Sequence, residues 1–252
     1  MLQSLLAAFA MYSKIPMPKV EWKEGNMKYC LGYFPFVGAV TGLCQIIFYD
    51  VLTCLSFGKI FIAAGLTALP ILINGGIHMD GFLDTIDAKS SWRTQKERLE
   101  ILKDPHAGAF AIIYGGLYLL ATFGLYTEIT GKELQMIAVG YAFERVLSGI
   151  SLLTLKKAKK DGMAVSVADA SQNKVKWMLA GEGLVCMAVF LYLNLWYGAM
   201  MILTGAVCFI YYRHAAYKYF GGITGDLAGY FLQICELAML LVLALAARLI
   251  MI

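Results

Sequence analysis

The sequence predicts an all-α, polytopic membrane protein: a helical bundle of about seven transmembrane helices, six at the fewest, plus a short cytoplasmic helix. Three observations carry that expectation. Of 252 residues, 60% are apolar or Tyr and only 15% are charged, with mean hydropathy +0.68, far from the balance of a soluble domain. The apolar residues fall in long continuous runs, whereas barrel strands would alternate over short segments. The basic residues collect on one side of those runs, 17 of the 21 in loops that alternate connections would place together.

In chain order, residues 1–13 lack the basic start and small-residue exit of a cleaved signal. They read as a short interfacial helix retained in the mature protein, within an N-terminal segment 1–28. Seven apolar segments follow at 30–57, 60–78, 109–127, 135–155, 178–195, 198–212 and 227–248, measured against a hydrocarbon core of ~30 Å. The sixth is short and is parted from the fifth only by the Asn194–Tyr197 turn. The two read as separate spans or as a hairpin or re-entrant pair, which would leave six.

Lys14, Lys19, Lys23 and Lys28, the loop 79–108, the loop 156–177 with its lysines up to Lys176, and Arg213 with Lys218 mark the cytoplasmic side by the positive-inside rule. Lys59, Lys132 and Arg248 fall opposite, and Arg145 falls inside a span. No internal repeat appears, so 1–252 is read as one integral-membrane unit. The net charge of +4, with no basic-aromatic groove, excludes nucleic acid as a partner. The six Cys form no C-x-x-C pair and read as packing residues.

Chemistry concentrates in the stretch from Asn74 to Asp87. Asp80, Asp84 and Asp87 stand at i, i+4 and i+7, so a helix through them stacks three carboxylates on one face. Such a face calls for a hard cation, and Mg²⁺, which is held by few carboxylates plus water and phosphate, suits it. A solvated acidic loop is the blander reading. The segment Lys89 to Asp104 carries Arg93, Arg98 and Lys103, which suit a diphosphate or merely orient the chain, and Asp104 is a further candidate ligand. His78 reads as an acid/base or phosphate contact or as a bonded interfacial histidine; His106 is balanced between the same two readings, and His214 reads as interfacial.

The second cluster, Gly221-Gly222-Ile223-Thr224-Gly225-Asp226, precedes the last span. Its glycines permit a turn whose N–H groups suit an anion, and Asp226 is either a helix cap or a ligand. Inside the spans, Glu144, Arg145 and Glu236 are costly in hydrocarbon. They read as an ion-paired set or as the floor of a polar cavity open to the cytoplasm.

Five motifs together resemble the cobalamin synthase family of adenosylcobinamide-GDP ribazoletransferases. They are FAMYSKIPMP (9–18), YFPFVGAVTG (33–42), GGIHMDGFLDTIDA with LEILKDPHAGAFA (75–88 and 99–111), the mid-chain Glu144-Arg145, and GGITGDLAGYFLQICE (221–236). They cover nearly the whole chain in order. The resemblance implies a Mg²⁺-dependent, multi-pass inner-membrane transferase with a cytoplasmic catalytic face. It would join adenosylcobinamide-GDP to α-ribazole, or to its 5′-phosphate, and release GMP; association with other cobalamin-assembly enzymes is a family habit.

On that reading Asp80, Asp84, Asp87 and Asp104 hold the metal, and His78, Asp84, Lys103 and Arg145 serve the reaction. Gly75, Gly76, His106, Glu144, Gly221, Gly222, Thr224, Gly225 and Asp226 lie against substrate. CDP-alcohol phosphotransferases also begin Asp-Gly, but Leu83-Asp84-Thr85 breaks their D-G-x-x-A-R start. Membrane prenyltransferases share the acidic clusters and differ in the wider pattern. A transporter would place its site at the midplane between repeats, whereas here the ionisable residues crowd one face.

Overall fold

The computed structural model describes residues 1–159, 162–171 and 173–250; Lys160, one of the loop lysines, lies outside them. Its helices are α1 (Leu2–Tyr12), α2 (Glu24–Met27), α3 (Phe34–Cys54), α4 (Lys59–Asn74), α5 (Ile77–Ser90), α6 (Gln95–Ile101), α7 (Ala109–Tyr126), α8 (Gly131–Thr154), α9 (Met163–Ala170), α10 (Lys174–Leu193), α11 (Leu195–Phe220) and α12 (Gly225–Ile250). No strand occurs among the described residues, only an isolated bridge between Lys157 and Ile223.

Six helical segments are long and apolar enough to cross a membrane, and the bent pair α4–α5 raises the number to seven. The expected second span, 60–78, is therefore corrected. It stops at Asn74 because Gly75 and Gly76 adopt φ of +63° and +79°, which ends the helix in a left-handed turn. Gly76 N–H donates to the Ile71 carbonyl, and α5 departs at 95° to α4, outside the six spans. The expected weakness at 198–212 is also corrected. Asn194 accepts from Tyr197 N–H and starts α11, which runs 26 residues through Arg213 and Lys218 and needs no re-entrant arrangement. The short helix expected outside the bilayer is α6, held by a Thr94–Glu97 capping box. The loop 156–177 contains a helix of its own, α9.

Helix α8 is the hub. It packs against α3, α10 and α12, and 78% of its span is buried. Gly38 and Gly42 on α3 form a G-x-x-x-G stripe against it. A Cβ at Gly42 would lie 2.6 Å from Ala138 Cα, and one at Gly38 2.8 Å from Arg145 Cδ. Small residues let two backbones approach where lipid supplies no hydrophobic drive between helices. One polar chain deep in the bundle is paired, as hydrocarbon favours: Gln45 donates to the Leu66 carbonyl at 2.8 Å, and Tyr126 bridges Gln45 and Tyr141.

Candidate active site

Helices α5 and α12 meet through glycine. A Cβ on Gly81 would stand 2.6 Å from the Asp226 carbonyl oxygen, and one on Gly229 3.0 Å from that of His78. This close crossing brings residues separated by about 140 positions into one cluster: Asp84 lies within electrostatic reach of Asp80, Asp226, Asp87 and Lys159. Burial, then Asp80, Asp226 and Asp87, push the Asp84 carboxyl up to about 6, with Lys159 pulling the other way. Carboxylates so crowded resist full ionisation together.

The individual roles are sharper than spacing showed. Asp87 stands with its oxygens committed: they accept from Gly108 N–H at 2.5 Å and Ala111 N–H at 2.9 Å, capping the N-terminus of α7. Asp226 is relieved of cap duty, because Thr224 Oγ1 takes the Leu227 N–H at 3.2 Å. The Asp226 carboxylate faces Lys159 Nζ at 4.0 Å instead. Among the described residues, no group of three or more His, Cys, Asp or Glu is set to hold a metal ion by itself. Asp80, Asp84 and Asp226 therefore form a convergent acidic surface and not a closed cage.

The glycine turn before α12 is also occupied. Gly221, at φ +74°, and Gly222 close α11 by donating to the Tyr217 and Ala216 carbonyls. Ile223 N–H donates to the Lys156 carbonyl at 2.9 Å, and Ala158 N–H returns the bond to Ile223 at 2.8 Å. A Cβ on Gly222 would fall 2.6 Å from the Lys156 carbonyl oxygen. The turn thus straps the 156–159 segment beside the acidic cluster, and Lys159 rides on that strap. Gly225 borders the cavity that opens there.

That cavity, about 330 Å³, is bordered by α1, α5, α8, α9 and α12, and Asp80, Asp226 and Lys159 are its charged lining. His78 lines it too, buried, edge-on to Phe34 and with Nε2 unpartnered. Gly75 and Gly76 line a second, more open groove of about 540 Å³ on the other side of Asp80.

Other candidates lie elsewhere. Lys103 pairs with Glu100 at 3.0 Å. Asp104 accepts from the exposed His106 backbone N–H at 3.0 Å, a bond that holds its carboxyl below the usual range. Neither Lys103, Asp104 nor His106 lines either cavity. Arg98 stacks on Tyr219 at 5.1 Å and braces α6 against α11. Glu144 and Arg145 are fully buried and paired at 2.5 Å, with Glu236 at 4.0 Å; Arg145 also lies 5.6 Å from the Phe34 and Tyr141 rings. This is the ion-paired arrangement; none of its members lines the cavity of about 330 Å³, while Glu236 borders a separate small cavity with Tyr118, Tyr126 and Tyr141.

Sequence reasoning missed Lys159 as an individual, although it lay in the basic loop, and Ser148, which lines the cavity from α8. It also missed Lys89, whose Nζ bonds Tyr211 Oη at 2.7 Å beneath the rings of Tyr219 and Tyr230. The glycines in Met79-Asp80-Gly81 and Ala228-Gly229 were the available signal for the helix crossing.

Fold and site together define a multi-pass helical membrane protein with an acidic, lysine-flanked cluster where α5 crosses α12. The profile of the cobalamin-5-phosphate synthase family matches residues 4–244, and the chain belongs to that family. A relative from Lachnoclostridium phytofermentans, named adenosylcobinamide-GDP ribazoletransferase, is 43% identical over 245 residues, covering 94% of this chain and 91% of its own. Relatives of the same name from Clostridium perfringens and Desulfitobacterium hafniense are 31% and 28% identical, covering 94% and 95% of this chain and 95% and 96% of theirs. No solved structure matches.

Proposed function

We propose that the chain is an adenosylcobinamide-GDP ribazoletransferase, joining adenosylcobinamide-GDP to α-ribazole or its 5′-phosphate and releasing GMP. The observation that carries this reading is the convergence of Asp80, Asp84 and Asp226 with Lys159 beside a cavity large enough for a nucleoside. The family and the names of its relatives supply the substrates.

The ribazole 3′-oxygen bonds to the phosphorus next to cobinamide as that phosphorus loses its bond to GMP. Asp80, which lines both cavities, is placed to accept the hydroxyl proton. Lys159, held near Asp226 by charge alone, can turn to a phosphate oxygen and offset charge as GMP departs. The strap that carries it and the apolar cavity walls orient the acceptor and exclude water.

The residues fit a divalent cation of the Mg²⁺ type. Asp84 and Asp226, beside Asp80, offer hard oxygens too few for a cage and suited to a cation shared with phosphates and water. When bound, that cation neutralises the diphosphate. Loop charges and the resemblance support an inner-membrane location with the site on the cytoplasmic face.

The test is product formation by detergent-purified protein given adenosylcobinamide-GDP and α-ribazole. GMP and a cobalamin product are expected, lost with EDTA and restored by Mg²⁺. A folded sample that forms neither contradicts the reading.

A further inference from the structure

Two cavities share Asp80, Met11 and Ile77, and their chemistry differs. The open groove lies between α1 and the α4–α5 turn, with Lys14 and the buried, unpartnered Asn74 Oδ1 in its lining. The less open one has apolar walls from Phe34, Leu152 and Leu232, and its charged groups are Asp80, Asp226 and Lys159. One turn deeper along α8 than Leu152 is Ser148, fully buried, its Oγ without a partner. His78 Nε2 is in the same condition. Buried polar atoms are almost always bonded, so orphans in a cavity wall call for a ligand atom.

The ligand that matches has a flat apolar body, one acceptor at its inner end, and hydroxyls at the carboxylate end. A corrin macrocycle is too large for about 330 Å³. Guanine fits by size, but its several edge donors and its carbonyl need more partners than Ser148 and His78 provide. A benzimidazole nucleoside needs one donor for its single free ring nitrogen and otherwise presents hydrocarbon.

We propose that the less open of the two cavities is the acceptor site. Ser148 Oγ–H donates to the ring nitrogen of ribazole, the ribose lies at Asp80 and Asp226 with one hydroxyl bonded to His78 Nε2, and the diphosphate-linked corrinoid enters from the open groove across Asp80. This assignment rests on the ribazole transfer proposed above. It makes Ser148 a specificity residue on a span where nothing in the sequence distinguishes it.

Steady-state kinetics of purified protein test it. Ser148→Leu is expected to raise KM for α-ribazole about tenfold or more while KM for adenosylcobinamide-GDP stays within about twofold. Ser148→Ala, small enough to keep the fold, is expected to lose the wild-type preference for α-ribazole over the corresponding indole riboside, which lacks the ring nitrogen. An unchanged acceptor KM in Ser148→Leu, or a change confined to the donor, overturns the site while wild-type turnover leaves the transfer reading intact. Wild-type protein that turns over neither acceptor overturns both.

Discussion

Asp84 is the carboxyl of the acidic cluster that burial and its neighbours push toward neutrality. Pushed up to about 6 by burial and by its acidic neighbours, it binds its proton more tightly in the folded chain than in the unfolded one, where about 3.9 is usual. Ionisation therefore weakens the metal-free fold progressively from pH of about 4 to about 6, and fully above that. Asp84→Asn is expected to raise the thermal unfolding temperature of metal-free protein at pH 7 and to leave it unchanged near pH 4. If Asp84 holds the cation as proposed, turnover is expected to rise with pH through a midpoint that falls as Mg²⁺ is raised, because the cation favours the ionised carboxylate. Unfolding curves and a pH–rate profile check the two directions. Asp87, three residues on, belongs to a different account because its oxygens cap α7. Asp87→Ala is expected to cost about 1 kcal/mol of stability, read by denaturation in detergent.

The elements that matter most are joined by glycine, and each joint has a separate reason. At Gly42 two spans touch; at Gly81 and Gly229 the acidic helix crosses the last span; at Gly222 a loop is strapped to a turn. Gly222→Val is expected to displace the 156–159 segment, lower kcat/KM about tenfold or more by moving Lys159, and lower the unfolding temperature by only a few degrees, as loss of two backbone bonds requires. Kinetics beside a melting curve decide it, and unaltered kcat/KM would detach the strap from the site. The helices themselves were legible because apolar runs and loop charge report length and sidedness directly. Helix α5 was legible as a face because a seven-residue spacing of Asp is a local pattern. The strap was not, since two backbone bonds between Lys156–Ala158 and Ile223 leave no mark on side-chain chemistry. Nor did spacing show that Thr224 takes the cap while its hydroxyl donates to Asp226, because both residue types cap helices.

For the whole molecule, the proposed site depends on folding together parts that lie far apart in the chain. The carboxylates come from the α4–α5 bend and from the last span, the lysine from the basic loop, and the cavity floor from the central helix α8. The buried Glu144–Arg145–Glu236 set stands in the core between these parts, where a charge stripped of its partner would be costly. The sequence motifs identified the pieces correctly as polar, but only three-dimensional packing separates ion pairs that brace the bundle from groups that face the cavity. The most direct test of the account is GMP release from adenosylcobinamide-GDP and α-ribazole by Asp226→Asn beside wild type, at saturating Mg²⁺. The convergence of α5 and α12 as the reaction centre predicts a loss of at least about a hundredfold in kcat with the fold retained. Wild-type turnover by Asp226→Asn would contradict it.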